Sequence, residues 1–340
     1  MPIAISDIAS NRLPRWFLKL AILDDWFDTL RGLPCYKKLN EIDVTVFTDH
    51  VQDTAILSDR LKEFDALVLF RERTSISAEL LDQLPNLKLI SQRSVYPHID
   101  VEACSRNNVL LCSSMHTGLP SFAAAEHTWG LILASMRQIP QQMQSLQLGN
   151  WQMGVGKTLH GRTLGLYGYG RISKAVNSYA KAFGMNVIWW ASDEGRKRAE
   201  LDGHKVSKSR GSFFSEADVV SVHVRLKPNT HEIIKDIDFK VMGKDALFVN
   251  TSRAKLIAPG ALLDALNNGR PGQAAIDVFD QEPITDNKNE LVNHPNIICT
   301  PHIGFVTEDE FELQFSDIFE QVIKFKEGKP INVINAILGL

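Results

Sequence analysis

The chain has 340 residues, of which 44% are hydrophobic and 23% are charged. These values are typical of a soluble globular protein, and the length predicts two domains. The formal net charge of −3 at pH 7 argues against nucleic acid or an anionic membrane as a partner.

The spacing of the cysteines and the first 16 residues exclude further classes of protein. The four cysteines are scattered without a Cys-x-x-Cys pair, which predicts reduced thiols in a cytoplasmic protein and no zinc site. Residues 1–16 lack a continuous apolar segment, so no signal peptide is expected. The sequence has no apolar run long enough to span a bilayer and no metal-binding motif, so neither a membrane nor a metal is expected.

The first third of the chain alternates short apolar runs with helical patterns. This alternation is typical of an α/β domain with a mainly parallel sheet. The predicted strands are 18–23, 44–47, 66–70, 87–91 and 109–112, and the predicted helices are 54–62 and 77–84.

A strand–turn–helix–strand unit follows a longer apolar helix predicted over 122–136. An apolar run at 164–167 passes directly into Gly168-Tyr169-Gly170-Arg171-Ile172-Ser173. Apolar residues then recur at helical spacing up to Gly184, and a second apolar run follows at 187–190. The pattern predicts a βαβ unit with a dinucleotide-binding fingerprint.

Each glycine of this turn has a physical reason. Gly168 permits the sharp turn from strand to helix, and Gly170 lets a pyrophosphate approach the positive end of the helix. Ser173 replaces the third glycine of the fingerprint and is small enough for close packing of helix on strand. A purely structural turn is the alternative interpretation.

The remainder of the chain predicts a second, larger doubly wound domain. Its further strands are 219–222, 247–250, 274–278 and 297–299, with a helix at 259–267. After Pro301 an amphipathic helix carries a stripe of phenylalanines and stops before Gly328. We expect the stripe to pack on the first domain. Residues 1–118 with 306–340 would then form one discontinuous domain, and 119–305 the other.

Three titratable residues follow neighbouring strands of the larger domain. Arg253, Glu282 and His302 each come just after a predicted parallel strand, at the edge where open α/β sheets bind ligands. Together they could hold an anionic substrate, orient an imidazole and transfer a proton. Singly, they could be a surface arginine, a turn residue and a loop histidine.

The segments around these residues resemble the three catalytic motifs of the D-isomer-specific 2-hydroxyacid dehydrogenases. They are Val249-Asn250-Thr251-Ser252-Arg253, Asp277-Val278-Phe279-Asp280-Gln281-Glu282-Pro283 and Thr300-Pro301-His302-Ile303-Gly304. The resemblance covers nearly the whole chain from about Leu18 onward. It implies two doubly wound parallel-sheet domains, the larger a Rossmann dinucleotide-binding domain and the smaller a flavodoxin-like substrate domain.

The resemblance also implies a role for each site residue. Arg253 would bind the substrate carboxylate, His302 would be the acid/base and Glu282 would hold the imidazole and favour its cation. Asp277 would contact the nicotinamide carboxamide. The other expected cofactor-binding residues are Gly168, Tyr169, Gly170, Arg171, Ile172, Asp193, His223, Thr251, Ser252 and Gly304.

One loop departs from the pattern of similar proteins, which hold the substrate carboxylate on a glycine-rich loop. This chain has Arg93-Ser94-Val95-Tyr96-Pro97 there, one residue shorter and without those glycines. Ser94 and Val95 are the candidates to supply backbone N–H groups to the substrate.

Three functions are compatible with these features. The first is NAD(P)-dependent reduction of a small 2-keto acid, run in reverse as oxidation of a D-2-hydroxy acid. The second is an NAD-sensing, corepressor-like binding protein with little turnover, and the third is oxidation of 3-phosphoglycerate. The family alone implies a homodimer, formed through elements around 122–151.

The choice between NAD and NADP depends on the segment after the second strand of the βαβ unit. Ala191 stands where similar proteins carry the ribose-binding acid, but Asp193 lies near the usual spacing and would favour NAD. Against this, Ser192 and the cations Arg196, Lys197 and Arg198 could form a phosphate site. We expect NAD, with NADP as the alternative.

Overall fold

A computed structural model of the chain describes residues 18–114, 122–284 and 287–335. These residues form two compact units. One contains 18–114 and 307–335, and the other contains the described residues from 122 to 306. The predicted boundary between 118 and 119, and the leading segment of the chain, lie outside the described residues.

The first unit is built on a five-stranded parallel sheet. Its strands are β1 (Lys19–Ile22), β2 (Asp43–Val46), β3 (Ala66–Val68), β4 (Leu89–Arg93) and β5 (Leu110–Ser114). Its helices in this part of the chain are α1 (Thr54–Leu61), α2 (Ala78–Leu81) and α3 (Val101–Arg106), with 3-10 segments at Leu30–Gly32 and Pro34–Leu39.

The strand order of this sheet is β2-β1-β3-β4-β5, which is the flavodoxin-like order and confirms the expected fold. The inner strands β1, β3 and β4 are largely buried, as expected for a parallel sheet covered on both faces, whereas the edge strand β2 is mostly exposed. Each helix begins at a side chain that accepts a hydrogen bond from the first turn: Asp53 for α1, Ser77 for α2 and Asp100 for α3.

The second unit is built on a six-stranded parallel sheet. Its strands are β6 (Thr163–Tyr167), β7 (Asn186–Trp190), β8 (Val219–Val222), β9 (Leu247–Asn250), β10 (Gln273–Ile276) and β11 (Ile297–Cys299). Its helices are α4 (Ala123–Met136), α5 (Ile139–Gln147), α6 (Arg171–Ala182), α7 (Asp193–Leu201), α8 (Arg210–Glu216), α9 (Asp236–Lys240), α10 (Ala261–Asn267) and α11 (Glu290–Asn293), with a 3-10 segment at Ala254–Leu256.

The order of this sheet is β11-β10-β9-β8-β6-β7, so the chain reverses its direction of winding at β6. Beyond β7, Val206 pairs with Trp189 in a single parallel bridge and takes the place of a further edge strand. The chain then crosses to β8 on the other side of β6. This switch point lies at the glycine turn, as in a Rossmann domain, and confirms the predicted fold.

The last helix, α12 (Glu308–Lys326), packs on the sheet of the first unit. The ring of Phe315 lies 4.7 Å from that of Phe70, centroid to centroid, and Ser91 Oγ donates to the carbonyl of Ile318 at 2.9 Å. The phenylalanine stripe of the sequence is therefore core, as expected. Within the described residues, no helix is long and apolar enough to cross a membrane.

Several element bounds differ from the predictions, and two of the differences concern segments near the expected site. Strand β10 ends at Ile276 and not at residue 278, because the side chain of the next residue, Asp277, turns inward to accept hydrogen bonds. The cationic segment after β7, for which no helix was predicted, is helix α7, which Ser192 caps by accepting from Gly195 N.

Candidate active site

The glycine turn between β6 and α6 brings two strand ends into close contact. Gly168 has φ of +111° and donates its N–H to Trp190 O at 2.7 Å. A Cβ at this position would lie 2.3 Å from His223 O, at the end of β8. The residue must therefore be glycine for steric as well as conformational reasons.

The next glycine faces open space. A Cβ on Gly170 would meet nothing within 4 Å, although Gly170 is the residue that precedes α6. Ser173 Oγ accepts from Gly170 N at 2.9 Å and donates to Gly170 O at 3.0 Å, so the residue that replaces the third glycine also caps the helix. Arg171 and Ile172 begin the first helical turn, where N–H groups have no intrahelical partner.

This geometry fits a dinucleotide. An open glycine beside the N-terminus of a helix of 12 residues is the arrangement that accepts a pyrophosphate. The side chain of Tyr169 points away from it, because its hydroxyl donates to Asp202 and its ring packs on Trp189 at 4.9 Å. Tyr169 could therefore contribute to a cofactor site through its backbone.

The segment expected to bind the adenosine ribose begins helix α7. Asp193 is the first residue of the helix, and its exposed carboxylate accepts from Arg196 Nη2 at 2.6 Å. The Arg196 guanidinium also lies over the Trp190 ring, 4.2 Å from its centroid, and donates to Ala191 O. The acid and the nearest cation thus neutralise each other at the position that would meet a ribose or its phosphate.

The three motifs end at one edge of the sheet. Asn250, Ile276 and Cys299 are paired in register across β9, β10 and β11, so the segments that follow them leave the sheet side by side. Parallel pairing thus brings together the loops that carry Arg253, Glu282 and His302.

The arginine loop is held by an asparagine that sequence analysis missed. The side chain of Asn250 accepts from Ser252 N at 3.0 Å and donates to Arg253 O at 2.9 Å, closing a turn around residues 250–253. Arg253 Nη1 donates to Ser252 O at 2.7 Å. An asparagine at a strand end, two residues before a polar residue, is a signal for such a turn.

The histidine and the glutamate form a direct pair. His302 Nδ1 lies 2.6 Å from Glu282 Oε2, and Glu282 Oε1 accepts from Phe279 N at 2.8 Å. The glutamate therefore fixes one ring nitrogen, which leaves Nε2 for proton transfer. His302 has a left-handed backbone with φ of +54°, which is uncommon for a residue other than glycine.

Asp277 is almost completely buried, with 1% of its surface exposed. Its carboxylate accepts from the backbone N–H groups of Ile303 and Gly304, each at 2.8 Å, and from Thr300 Oγ1 at 2.6 Å. The expected contact with a nicotinamide carboxamide stays a prediction. What the structure adds is that this carboxylate holds the loop of His302.

The other expected cofactor residues line the neighbouring strand ends. Thr251 Oγ1 lies 2.7 Å from Thr128 Oγ1, and Ser252 Oγ donates to Val222 O at 2.7 Å. His223 Nε2 lies 2.9 Å from Ser221 Oγ. Burial lowers the pKa of His223 to about 4, so its ring is uncharged at neutral pH.

In the first unit, the predicted substrate loop begins with Ser94, whose φ is +84°. The N–H of Ser94 donates to Ser114 O at 3.0 Å, as a continuation of the β4–β5 ladder. The N–H of Ser94 is thus paired within the sheet, and a role of Ser94 in substrate binding stays a prediction. Val95 is exposed, and its role stays a prediction.

Comparison with known proteins identifies the family. Residues 129–304 match the model of the D-isomer specific 2-hydroxyacid dehydrogenase, NAD binding domain. A D-3-phosphoglycerate dehydrogenase from Methanocaldococcus jannaschii is 36% identical over 283 residues, which are 82% of this chain and 53% of that protein. A glyoxylate reductase from Aeropyrum pernix is 33% identical over 291 residues, which are 82% of this chain and 85% of that one.

The chain belongs to the D-isomer-specific 2-hydroxyacid dehydrogenase family. A solved structure supports the same assignment. Phosphoglycerate oxidoreductase from Vibrio cholerae O395 is 42% identical, with a TM-score of 0.86 over 91% of this chain and 99% of that one. The chain spans about half the length of the D-3-phosphoglycerate dehydrogenase that it matches. As a member of the family it carries the NAD-binding domain, and the glycine turn described above fits that cofactor.

The two glycines provide a first test of the cofactor site. Gly168→Ala should destabilise the fold by about 2 kcal/mol or more, because its Cβ would collide with a backbone carbonyl. Gly170→Ala should leave stability within about 0.5 kcal/mol but weaken NADH binding about tenfold or more, since its Cβ would stand where the pyrophosphate approaches. Thermal unfolding and fluorescence titration with NADH measure the two effects. Unchanged NADH affinity in Gly170→Ala would contradict this placement.

A second test concerns NAD against NADP. The parent protein should prefer NADH, and Asp193→Ala should release Arg196 to bind a 2′-phosphate. We expect kcat/KM for NADPH relative to NADH to rise about tenfold, equivalent to about 1.4 kcal/mol. Glu200→Ala, at an exposed position of the same helix, is the control and should leave the ratio unchanged. A parent protein that prefers NADPH would refute the role given to Asp193.

Proposed function

We propose that this chain is an NAD-dependent oxidoreductase that interconverts a small 2-keto acid and the corresponding D-2-hydroxy acid. The observation that carries the proposal is the 2.6 Å contact between His302 and Glu282 at the sheet edge where the Arg253 loop also ends. A cation, a carboxylate and an imidazole beside a dinucleotide fold supply the groups that this reaction needs.

The arginine binds and polarises the substrate. A guanidinium is planar and permanently charged, so Arg253 can hold a carboxylate through two parallel hydrogen bonds. The same charge draws electron density from the adjacent carbonyl group. The turn closed by Asn250 fixes the backbone from which this side chain extends.

His302 moves the proton. When bound, NADH supplies the hydride to the carbonyl carbon of the keto acid. His302 Nε2 delivers a proton to the carbonyl oxygen as negative charge develops there, and removes it again when the hydroxy acid is oxidised. Glu282 stabilises the imidazolium through Nδ1 and fixes the orientation of the ring.

The names of the relatives support a substrate class. The similar proteins are named for glyoxylate, hydroxypyruvate and 3-phosphoglycerate, which share a carboxylate next to the reacting carbon. We therefore propose glyoxylate, hydroxypyruvate and 3-phosphohydroxypyruvate as the first compounds to assay.

A cytoplasmic location is also proposed, because all four cysteines would stay reduced there.

A homodimer is also proposed, through the segment 139–155 of the second unit. Ile139, Met143 and Leu146 form an exposed apolar row on helix α5. Leu148 and Trp151, 72% and 76% exposed, follow it. The segment is ordered, because Gln142 Oε1 accepts from Met153 N and Gln142 Nε2 donates to Gly154 O. Neighbouring exposed apolar residues of this kind are typical of a protein interface.

Steady-state oxidation of NADH with the panel of keto acids tests the proposed reaction. We expect turnover with at least one of them, and His302→Ala should lower kcat about 100-fold or more while NADH still binds. Arg253→Lys keeps the charge but loses the planar fork, and should lower kcat/KM for the keto acid far more than the affinity for NADH. NADH binding without turnover on any 2-keto acid would favour the corepressor-like alternative.

The proposed dimer is tested by replacing two of its apolar residues. The Met143→Asp, Leu148→Asp double variant should sediment at half the mass of the parent protein, because a charge in an apolar interface is costly. Leu201→Asp is the matched control, since Leu201 is 85% exposed on helix α7 and is not part of this segment. A parent protein that sediments as a monomer at micromolar concentration would disprove the interface.

A further inference from the structure

The carboxylate of Asp277 is the centre of a buried hydrogen-bond network in the second unit. Oδ1 accepts from Thr300 Oγ1 at 2.6 Å and from Ile303 N at 2.8 Å, and Oδ2 accepts from Gly304 N at 2.8 Å. His127 Nε2 lies 3.2 Å from Oδ1. Burial tends to raise the pKa of Asp277, but the hydrogen bonds outweigh it and hold that pKa below its usual value.

This network encloses the backbone of His302. Thr300 lies two residues before the histidine, and Ile303 and Gly304 follow it, so both flanks of His302 are attached to one carboxylate. The attachment explains how a residue other than glycine is kept in a left-handed conformation, which costs energy unless its surroundings impose it. The same attachment sets the direction in which the imidazole leaves the loop.

The network extends to helix α4 through His127. His127 Nε2 lies 3.0 Å from Thr300 Oγ1, whose own proton is donated to Asp277. The threonine oxygen must therefore accept, so Nε2 of His127 carries the hydrogen. Helix α4 provides a rigid base, because Ala125, Trp129 and Ile132 are part of the core of the unit.

The fit around this network is tight. A Cβ on Gly304 would come within 3.1 Å of Asp277 Oδ2 and 3.6 Å of His127 Cδ2. The loop therefore passes close to the carboxylate and to the imidazole of His127, and a side chain at this position would require Asp277 to shift. A shift of His127 would be transmitted to the loop, since packed side chains leave little space to absorb it.

We infer that His127 is a positioning residue for proton transfer by His302. It acts through the Thr300 hydroxyl and the Asp277 carboxylate, which together fix the loop of residues 300–304. This inference rests on the proposed function for its kinetic consequence, but its structural consequence does not depend on turnover. A misplacement of about 1 Å in a reacting group is enough to lower a rate about 100-fold.

Two amide substitutions at His127 form a matched pair. The Nε2 of glutamine reaches the position of the imidazole Nε2, whereas the amide of asparagine is too short and lies near Nδ1. His127→Gln should keep most of the activity. His127→Asn should lower kcat about 10-fold to 100-fold, with KM for the keto acid and Kd for NADH within about threefold of the parent values. Glu126→Gln, at the exposed neighbouring residue of α4, is the control and should behave as the parent.

A second measurement does not need turnover. The proton shared between His302 Nδ1 and Glu282 should give a downfield NMR signal, assigned by its loss in His302→Gln. We expect the signal to persist in His127→Gln and to shift or disappear in His127→Asn. Equal kcat in both amide variants, or an unchanged signal in His127→Asn, would overturn the inference. If no keto acid is turned over by the parent protein, the proposed reaction fails and the NMR result alone decides the role of His127.

Discussion

When parallel strands pair in register, the residues that follow them lie at the same edge of the sheet. The candidate site depends on this constraint. Asn250, Ile276 and Cys299 are paired across β9, β10 and β11, so three loops distant in sequence begin side by side. Two of these loops are then fixed by a polar side chain at or just after a strand end. Asn250 closes the arginine loop, and Asp277 holds the histidine loop.

The fold was largely predictable because its signals are local. Buried parallel strands are continuous apolar runs, and the glycine turn with its flanking strands indicates a βαβ unit without further information. Helix α7 was missed because its residues are mostly charged and show no apolar stripe. What forms it is a cap from Ser192, together with the pairing of Asp193 and Arg196 within its first turn.

The candidate site was predictable only in part. A charged residue after each strand can be recognised in the sequence, and so could the pairing of Glu282 with His302. The inward turn of Asp277 could not, because an aspartate after a strand is more often exposed, and its burial depends on partners from two other segments, helix α4 and the loop of residues 300–304. The hydrogen bond of the Ser94 N–H could not be predicted either, because it depends on how far the β4–β5 ladder extends.

The return of helix α12 to the first unit has a consequence for folding during synthesis. The core on the sheet of residues 18–114 includes the side chains of Phe311 and Phe315, which pack against Phe70. The ribosome adds these two residues about 200 residues after the sheet. The second unit contains all of its own strands by Cys299 and has no such delay. On a growing chain, therefore, the unit that is translated first is the one that is finished last, and its apolar face needs protection until α12 emerges.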